Sequence, residues 1–142
     1  MGKIHLDTDV LIELIEKTPI EKILATALDH ELKISPIVFF EFMVGAYRTN
    51  RHDLKSLLLK HLVLTSLTPE IADKAASIEA ELMNKGTPLD PRDIIIAAAA
   101  IVDNASLWTR NTKHYNRLTE YGLKLWKENF LQKQPPESIS QP

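Results

Sequence analysis

Apolar residues recur at offsets of three and four through most of this chain, and several of these runs open in the same way, with a small polar residue followed by proline. Thr18-Pro19-Ile20-Glu21 reads as a capping box, with proline where a helix has no use for an N–H. Its helix would carry Ile20, Ile23, Leu24, Ala27 and Leu28 on one face. Ser35-Pro36 opens a second run, with Ile37, Phe40, Glu41, Val44 and Gly45 in helical spacing, and Thr68-Pro69 a third, which Gly86 would stop after about Lys85. Asp90-Pro91-Arg92-Asp93 opens the most apolar run, Ile94 to Val102. A helix apolar on every side is a buried one, and its alanines would let it lie close to a sheet. Short strand-like segments alternate with these runs, at residues 3–6, 31–34, 62–66, 106–109 and 123–125. The alternation predicts an α/β fold, a three-layer α/β/α sandwich around a short parallel sheet.

The chain has 142 residues, enough for one domain, which we expect over residues 1–131. The stretch 132–142, rich in proline, serine and glutamine, reads as a disordered tail. Hydrophobic residues make up 44% and charged residues 25%, an ordinary globular mix. The net charge of −2 excludes a generally basic nucleic-acid binder, so any such contact must come from a local patch. The chain has no cysteine, which excludes disulfides, thiolate zinc sites and cysteine nucleophiles. Its longest apolar run is less than half the ~20 residues needed to cross a bilayer. The start of the chain lacks a basic segment followed by an apolar one. A cytoplasmic protein with no membrane contact is expected.

In a parallel sheet, functional groups gather beyond the carboxyl ends of the strands. Asp7 stands there, directly after the first strand; as an isolated residue it would serve equally well as a helix cap. Asp9 fits a first-turn acid facing the helix dipole. Glu41 lies inside the apolar stretch Ile37 to Val44, where a carboxylate needs either an exposed seam or a cation beside it. Asp93 opens the buried helix, with Asp90 as its cap. Asn111 and His114 follow the segment Leu107-Trp108-Thr109. Three carboxylates meeting at one sheet edge, with Asn111 as a neutral fourth group, would resist joint ionisation. A divalent cation, Mg²⁺ or Mn²⁺, removes that conflict. Two basic stretches could meet a phosphate backbone. Arg48 to His61 fits an ordinary solvated helix face, whereas Arg110 and Lys113 lie beside the acids and are the better phosphate contacts. Trp108 and Tyr115 fit either base stacking or the core.

Four segments, in order, resemble the PIN-domain family, and within it the toxin ribonucleases of VapBC toxin–antitoxin pairs. Leu6-Asp7-Thr8-Asp9-Val10-Leu11-Ile12 resembles the opening motif, which usually has asparagine where this chain has Asp9. Phe40-Glu41-Phe42-Met43-Val44-Gly45-Ala46 resembles the segment around the family's glutamate. Asp93 and the alanines after it resemble the buried helix led by the third acid, and Leu107 to Tyr115 resembles the closing motif. The resemblance implies a metal-dependent endoribonuclease. Asp7, Glu41 and Asp93 would hold Mg²⁺ or Mn²⁺, with Asn111 joining them in catalysis and Thr8, Asp9, Asp90 and His114 around them. Many members carry a fourth acid in the closing motif, where this chain has Asn111 and His114. One tightly held ion, with a second arriving with RNA, is therefore expected. The resemblance also implies a homodimer and a VapB-like antitoxin that buries an apolar segment along the helices and places a basic side chain near the acids.

Two other readings compete. Asp7-Thr8-Asp9-Val10 fits the Asp-x-Asp signature of haloacid-dehalogenase-type phosphatases, with Asp7 as nucleophile, although the helical pattern starts too soon after it and Asp90 and Asp93 have the wrong spacing. Without a fourth acid, the chain could also be a catalytically weak PIN-fold binding module.

Overall fold

A computed structural model describes residues 2–17 and 30–127. The helix expected after Thr18-Pro19 and the tail from residue 132 lie outside the described residues. The elements run β1 (Gly2–Leu6), α1 (Thr8–Lys17), β2 (His30–Ile34), α2 (Pro36–Arg48), α3 (Asp53–His61), β3 (Val63–Leu64), α4 (Pro69–Asn84), α5 (Pro91–Val102), β4 (Ser106–Trp108), α6 (Thr112–Tyr115), a 3₁₀ turn (Asn116–Tyr121) and β5 (Lys124–Leu125).

The polar–proline openings work as caps. Ser35 Oγ accepts from Val38 N at 3.3 Å, Thr68 Oγ1 from Ile71 N at 3.2 Å and Asp90 Oδ1 from Arg92 N at 2.9 Å. Each satisfies an N–H that the first helical turn leaves without a partner. Gly86 (φ +73°) ends α4 as the sequence predicts, its N–H donating to the Met83 carbonyl at 3.0 Å. Gly122, at φ +104°, turns the chain from the 3₁₀ segment into β5.

The five strands are all parallel, in the order β3-β2-β1-β4-β5. The chain builds outward from β1 through β2 to β3, then returns to lay β4 on the other side of β1. The order therefore reverses between β1 and β4, and the crevice beyond their carboxyl ends is the place for a site in such a sheet. The segment 62–66 is shorter as a strand than its pattern suggests: only Val63 and Leu64 pair with β2, and Thr65 closes the edge by donating to the Ile34 carbonyl from both its N–H and its hydroxyl.

Helices cover both faces. Leu6 lines one small cavity together with Leu11 and Leu14 of α1 and Leu57 and Leu58 of α3. Ala99 and Val102 of α5 lie on the other face, beside His5 and Lys33. In α5, Ile94, Ile96 and Ala97 to Ala100 are all buried, and the small alanines bring the helix close to the sheet. Trp108 and Tyr115 are fully buried, and Trp108 packs on Trp126 with ring centroids 4.6 Å apart, so both belong to the core rather than to a stacking surface. The basic stretch 48–61 is mostly α3, whose Leu54 and Leu58 face inward while Arg51 pairs with Asp53 in solvent.

One polar cluster sits in the otherwise apolar α5 face. Asp103, just past α5, accepts from Lys3 Nζ at 3.0 Å and Lys33 Nζ at 2.9 Å, and lies 2.8 Å from His5 Nε2. His5 is only 2% exposed, and burial pushes its pKa below the ordinary histidine value. The three basic partners hold the Asp103 carboxyl well below the usual range, against the opposing effect of burial. Asp103→Ala leaves two ammonium groups without their shared counter-ion. We expect a loss of ~2 kcal/mol, or about 6 °C in melting temperature, below the range for a fully buried pair because Lys3 is partly solvated. An unchanged thermal unfolding curve would contradict this account.

Candidate active site

β1 delivers Asp7 to the crevice. Its N–H donates to the Trp108 carbonyl at 2.9 Å, which continues the β1–β4 ladder by one residue and sets Asp7 beside Thr109. Thr109 Oγ1 donates to Asp7 Oδ2 at 2.7 Å, and Thr8 N donates to Oδ1 at 2.9 Å. Asp7 is 8% exposed. Burial pushes its pKa up to about 6 from 3.8, and the charges of Asp9 and Asp93 push the same way; the bonds from Thr109 and Thr8 oppose them only in part. A carboxylate kept dry beside other carboxylates is a poor structural choice and a common functional one.

Thr8 links two acids. Its backbone N–H serves Asp7, and its hydroxyl donates to Glu41 Oε1 at 2.6 Å. Glu41 comes from α2, where the neighbouring Phe42 and Met43 are buried, and its own side chain is 23% exposed. Of the two environments the sequence leaves open for this residue, the structure provides the cation: Arg92 Nη1 stands 3.3 Å from Glu41 Oε2.

Asp93, in the first turn of α5, does not reach back to complete a capping box. Its Oδ1 accepts from the Tyr115 hydroxyl at 3.2 Å, and its Oδ2 lies 3.0 Å from His114 Nε2. Burial and the nearby charges of Asp7 and Asp93 hold the Tyr115 phenol above its ordinary pKa, so it serves as a neutral donor. Asp90 is the cap expected for it and also pairs with Arg92.

The closing motif contributes through its backbone as well. Asn111 N donates to Thr109 Oγ1 at 3.0 Å and so orients the hydroxyl that serves Asp7, while the Asn111 side chain makes no capping bond to α6. Arg110 N donates to Asp9 Oδ1 at 3.4 Å, and Arg110 Nε bonds Glu13 Oε1 at 2.5 Å. Asp9 thus ties α1 to the turn after β4, and Arg110 lies along α1. Lys113 is exposed on α6.

The structure therefore brings Asp7, Glu41 and Asp93 to one edge of the sheet, with Thr8, Asp9, Asp90, Asn111 and His114 around them. Three contributors escaped the sequence reading: Thr109, Tyr115 and Arg92. Tyr115 gave a signal of its own, an aromatic next to His114, and Arg92 stands between two acids of the same helix turn. The carboxylates do not converge on a point. Among the described residues no three His, Cys, Asp or Glu side chains are grouped so as to hold a metal ion. The reason is local: Asp7 is satisfied by two threonines, Glu41 by Thr8 and Arg92, and Asp93 by His114 and Tyr115. The donor set is oxygen throughout, which suits a hard cation such as Mg²⁺ or Mn²⁺, and the raised pKa of Asp7 marks a place where added positive charge would be welcome.

A parallel sheet with acids at its switch point and helices on both faces defines a three-layer α/β domain with its candidate site at the carboxyl edge of the sheet. The chain matches the PIN-domain model over residues 4–119, and it belongs to the PIN-domain family. That membership removes the phosphatase reading, as does the position of Asp9 in the first turn of α1. Among curated relatives, Ribonuclease VapC1 of Methanocaldococcus jannaschii is 32% identical over 125 residues, 88% of each chain. A VapC ribonuclease of Pyrococcus furiosus is 31% identical over 122 residues, 84% of this chain and 82% of that one. Among solved structures, the DNA-bound VapBC of Salmonella typhimurium superposes with a TM-score of 0.77 at 26% identity, covering 89% of this chain and 98% of that one. VapBC-1 from nontypeable Haemophilus influenzae gives a TM-score of 0.75 at 25% identity, covering 88% and 97%.

Proposed function

We propose that this chain is a ribonuclease of the VapC type, a Mg²⁺- or Mn²⁺-dependent endoribonuclease and the toxin of a toxin–antitoxin pair. The observation that carries the reading is Asp7: buried, held by Thr8 and Thr109, and kept against the charges of Asp9 and Asp93 at the crevice between β1 and β4. The relatives named as VapC ribonucleases, similar over more than four fifths of the chain, support it.

Asp7, Glu41 and Asp93 would hold the ion. When bound, such an ion lowers the pKa of a coordinated water and stabilises charge on a phosphate oxygen. The chain supplies the rest. Thr109 and Thr8 fix the two oxygens of Asp7, Tyr115 and His114 fix those of Asp93, and Thr8 positions Glu41. Lys113 and Arg110 flank the site on the α6 side and are the proposed phosphate contacts; Arg110 would have to exchange its bond to Glu13 for one to RNA.

A VapB-like antitoxin is the proposed partner, supported by the VapBC assemblies among similar structures and by the exposed apolar stripe Phe40, Val44 and Tyr47 on α2. A homodimer and a cytoplasmic location complete the reading; no helix among the described residues is long and apolar enough to cross a membrane. One observation favours the alternative of a catalytically weak binding module: Glu41 is paired with Arg92 rather than gathered with the other acids.

A calorimetric Mn²⁺ titration decides between them, since it needs no knowledge of the RNA target. Wild type is expected to bind, and Asp7→Asn and Asp93→Asn are each expected to lose affinity by about tenfold or more. Cleavage of RNA should stop in EDTA and return with Mg²⁺. Absence of Mn²⁺ binding at millimolar concentration would mean that the acid set is incomplete or needs RNA to complete it, and would raise the binding-module reading to at least equal standing.

A further inference from the structure

Arg92 occupies a position that nothing in the proposed chemistry uses. It follows the cap Asp90 by two residues and immediately precedes Asp93. Its Nε and Nη2 edge holds Asp90 bidentately, at 3.3 Å to Oδ1 and 2.8 Å to Oδ2. That leaves Nη1, which lies 3.3 Å from Glu41 Oε2. A planar guanidinium can serve two carboxylates at once in this way, one on each edge; an ammonium cannot reproduce the fork. The arginine thus ties α2 to the start of α5 across the mouth of the acidic crevice. Asp90 anchors it, and Glu41 is the looser end. The side chain of Arg92 is 58% exposed, so a phosphate approaching from solvent can reach it.

We propose that Arg92 is a positioning residue that couples RNA binding to the release of Glu41. Without RNA, its Nη1 neutralises Glu41 and holds that carboxylate away from a shared cation. A phosphodiester oxygen entering the crevice replaces Glu41 on Nη1 while Asp90 keeps the guanidinium in place. Glu41, still bonded to Thr8, then becomes available to complete the acid set beside Asp7 and Asp93. This accounts for a set of acids that shares one edge without converging in the free protein. The inference rests on the nuclease reading and adds to it an order of events: the third carboxylate joins when the substrate does.

The test uses Mn²⁺ alone as the first probe. Arg92→Ala keeps the backbone N–H that Asp90 caps and so preserves the start of α5. It is expected to bind Mn²⁺ about threefold more tightly than wild type, the size of a partly exposed ion pair. In a Glu41→Gln background the same substitution is expected to change nothing. The second probe is a fluorescein-labelled single-stranded RNA in EDTA, read by anisotropy. Arg92→Ala should bind it about threefold more weakly, and Arg92→Lys, which keeps the charge but cannot span both acids, should bind RNA like wild type and Mn²⁺ like Arg92→Ala. Equal Mn²⁺ affinity of wild type and Arg92→Ala, or an equal gain in the Glu41→Gln background, overturns the inference. So does equal RNA binding by wild type and Arg92→Ala, including none by either. If Asp7→Asn and Asp93→Asn lose Mn²⁺ while Arg92→Ala matches wild type, the nuclease reading stands and this inference alone fails. If the two aspartate variants bind Mn²⁺ like wild type, both fail together.

Discussion

Asp93→Asn is expected to lower RNA cleavage by about 10³-fold or more, equivalent to roughly 4 kcal/mol of lost transition-state stabilisation, and to leave the fold intact. The size follows from what the substitution removes. Asparagine has the shape of aspartate, so its amide oxygen still accepts from the Tyr115 hydroxyl and the first turn of α5 keeps its cap from Asp90. What disappears is a full negative charge close enough to Asp7 to raise that group's pKa. A divalent cation held by Asp7 and Asp93 loses one of its two most constrained ligands, because both Asp93 oxygens are fixed by His114 and Tyr115 before any ion arrives. The measurement is the rate of Mg²⁺-dependent cleavage of RNA beside a thermal unfolding curve for each protein. A variant that cleaves at the wild-type rate would end the assignment of Asp93, and a variant that fails to fold would show that its carboxylate serves α5 rather than catalysis.

The parts of this molecule that were legible in the sequence are those decided within a few residues. Ser35, Thr68 and Asp90 announce their helices because a cap and the proline after it act on adjacent N–H groups. The run from Ile94 to Val102 announces a buried helix because nothing polar interrupts it. Glu41 was conspicuous for the opposite reason, a charge among Phe40, Phe42 and Met43. Its partner was not legible. Arg92 lies 51 positions further on, and an arginine after a capped proline reads as an ordinary exposed first-turn residue. Thr109 reads as the end of a strand and Tyr115 as packing; both are so, yet Thr109 also gives its hydroxyl to Asp7 because β4 lies beside β1, and Tyr115 gives its own to Asp93 at the start of α5. The strand order that makes this juxtaposition is a global property. The pattern of short apolar segments fixes that the strands are parallel, but not that the fourth returns to the side of the first.

The stability of Asp7→Asn argues the site from a direction that needs no RNA. In EDTA at pH 7.5 this variant is expected to melt higher than wild type by about 3–6 °C, equivalent to ~1–2 kcal/mol. Asp7 has its folded pKa raised to about 6 from 3.8, chiefly by burial and then by Asp9 and Asp93. Its proton therefore stabilises the folded state: that contribution is full below about 3.8 and is lost as the pH rises through about 6. At neutral pH the protein holds a carboxylate that its surroundings disfavour, at a cost of at most ~3 kcal/mol. Asparagine removes the charge and still accepts from Thr8 N, while its amide N–H can donate to Thr109 Oγ1; part of the gain is spent on that rearrangement, hence the smaller expected figure. The difference in melting temperature between the two proteins should shrink as the pH falls from 7.5 to 5, because wild-type Asp7 then takes up its proton. His5 shifts stability the opposite way over the same range, losing it as the pH falls below its ordinary value near 6.5, but it does so in both proteins and cancels in the difference. Mn²⁺ should narrow the gap again at pH 7.5 by stabilising wild type alone. An Asp7→Asn protein that melts at or below wild type in EDTA would mean that Asp7 supports the fold as a buried, satisfied carboxylate. A higher melting temperature joined to lost Mn²⁺ binding would mean that the fold carries this charge at a cost, for the sake of a cation.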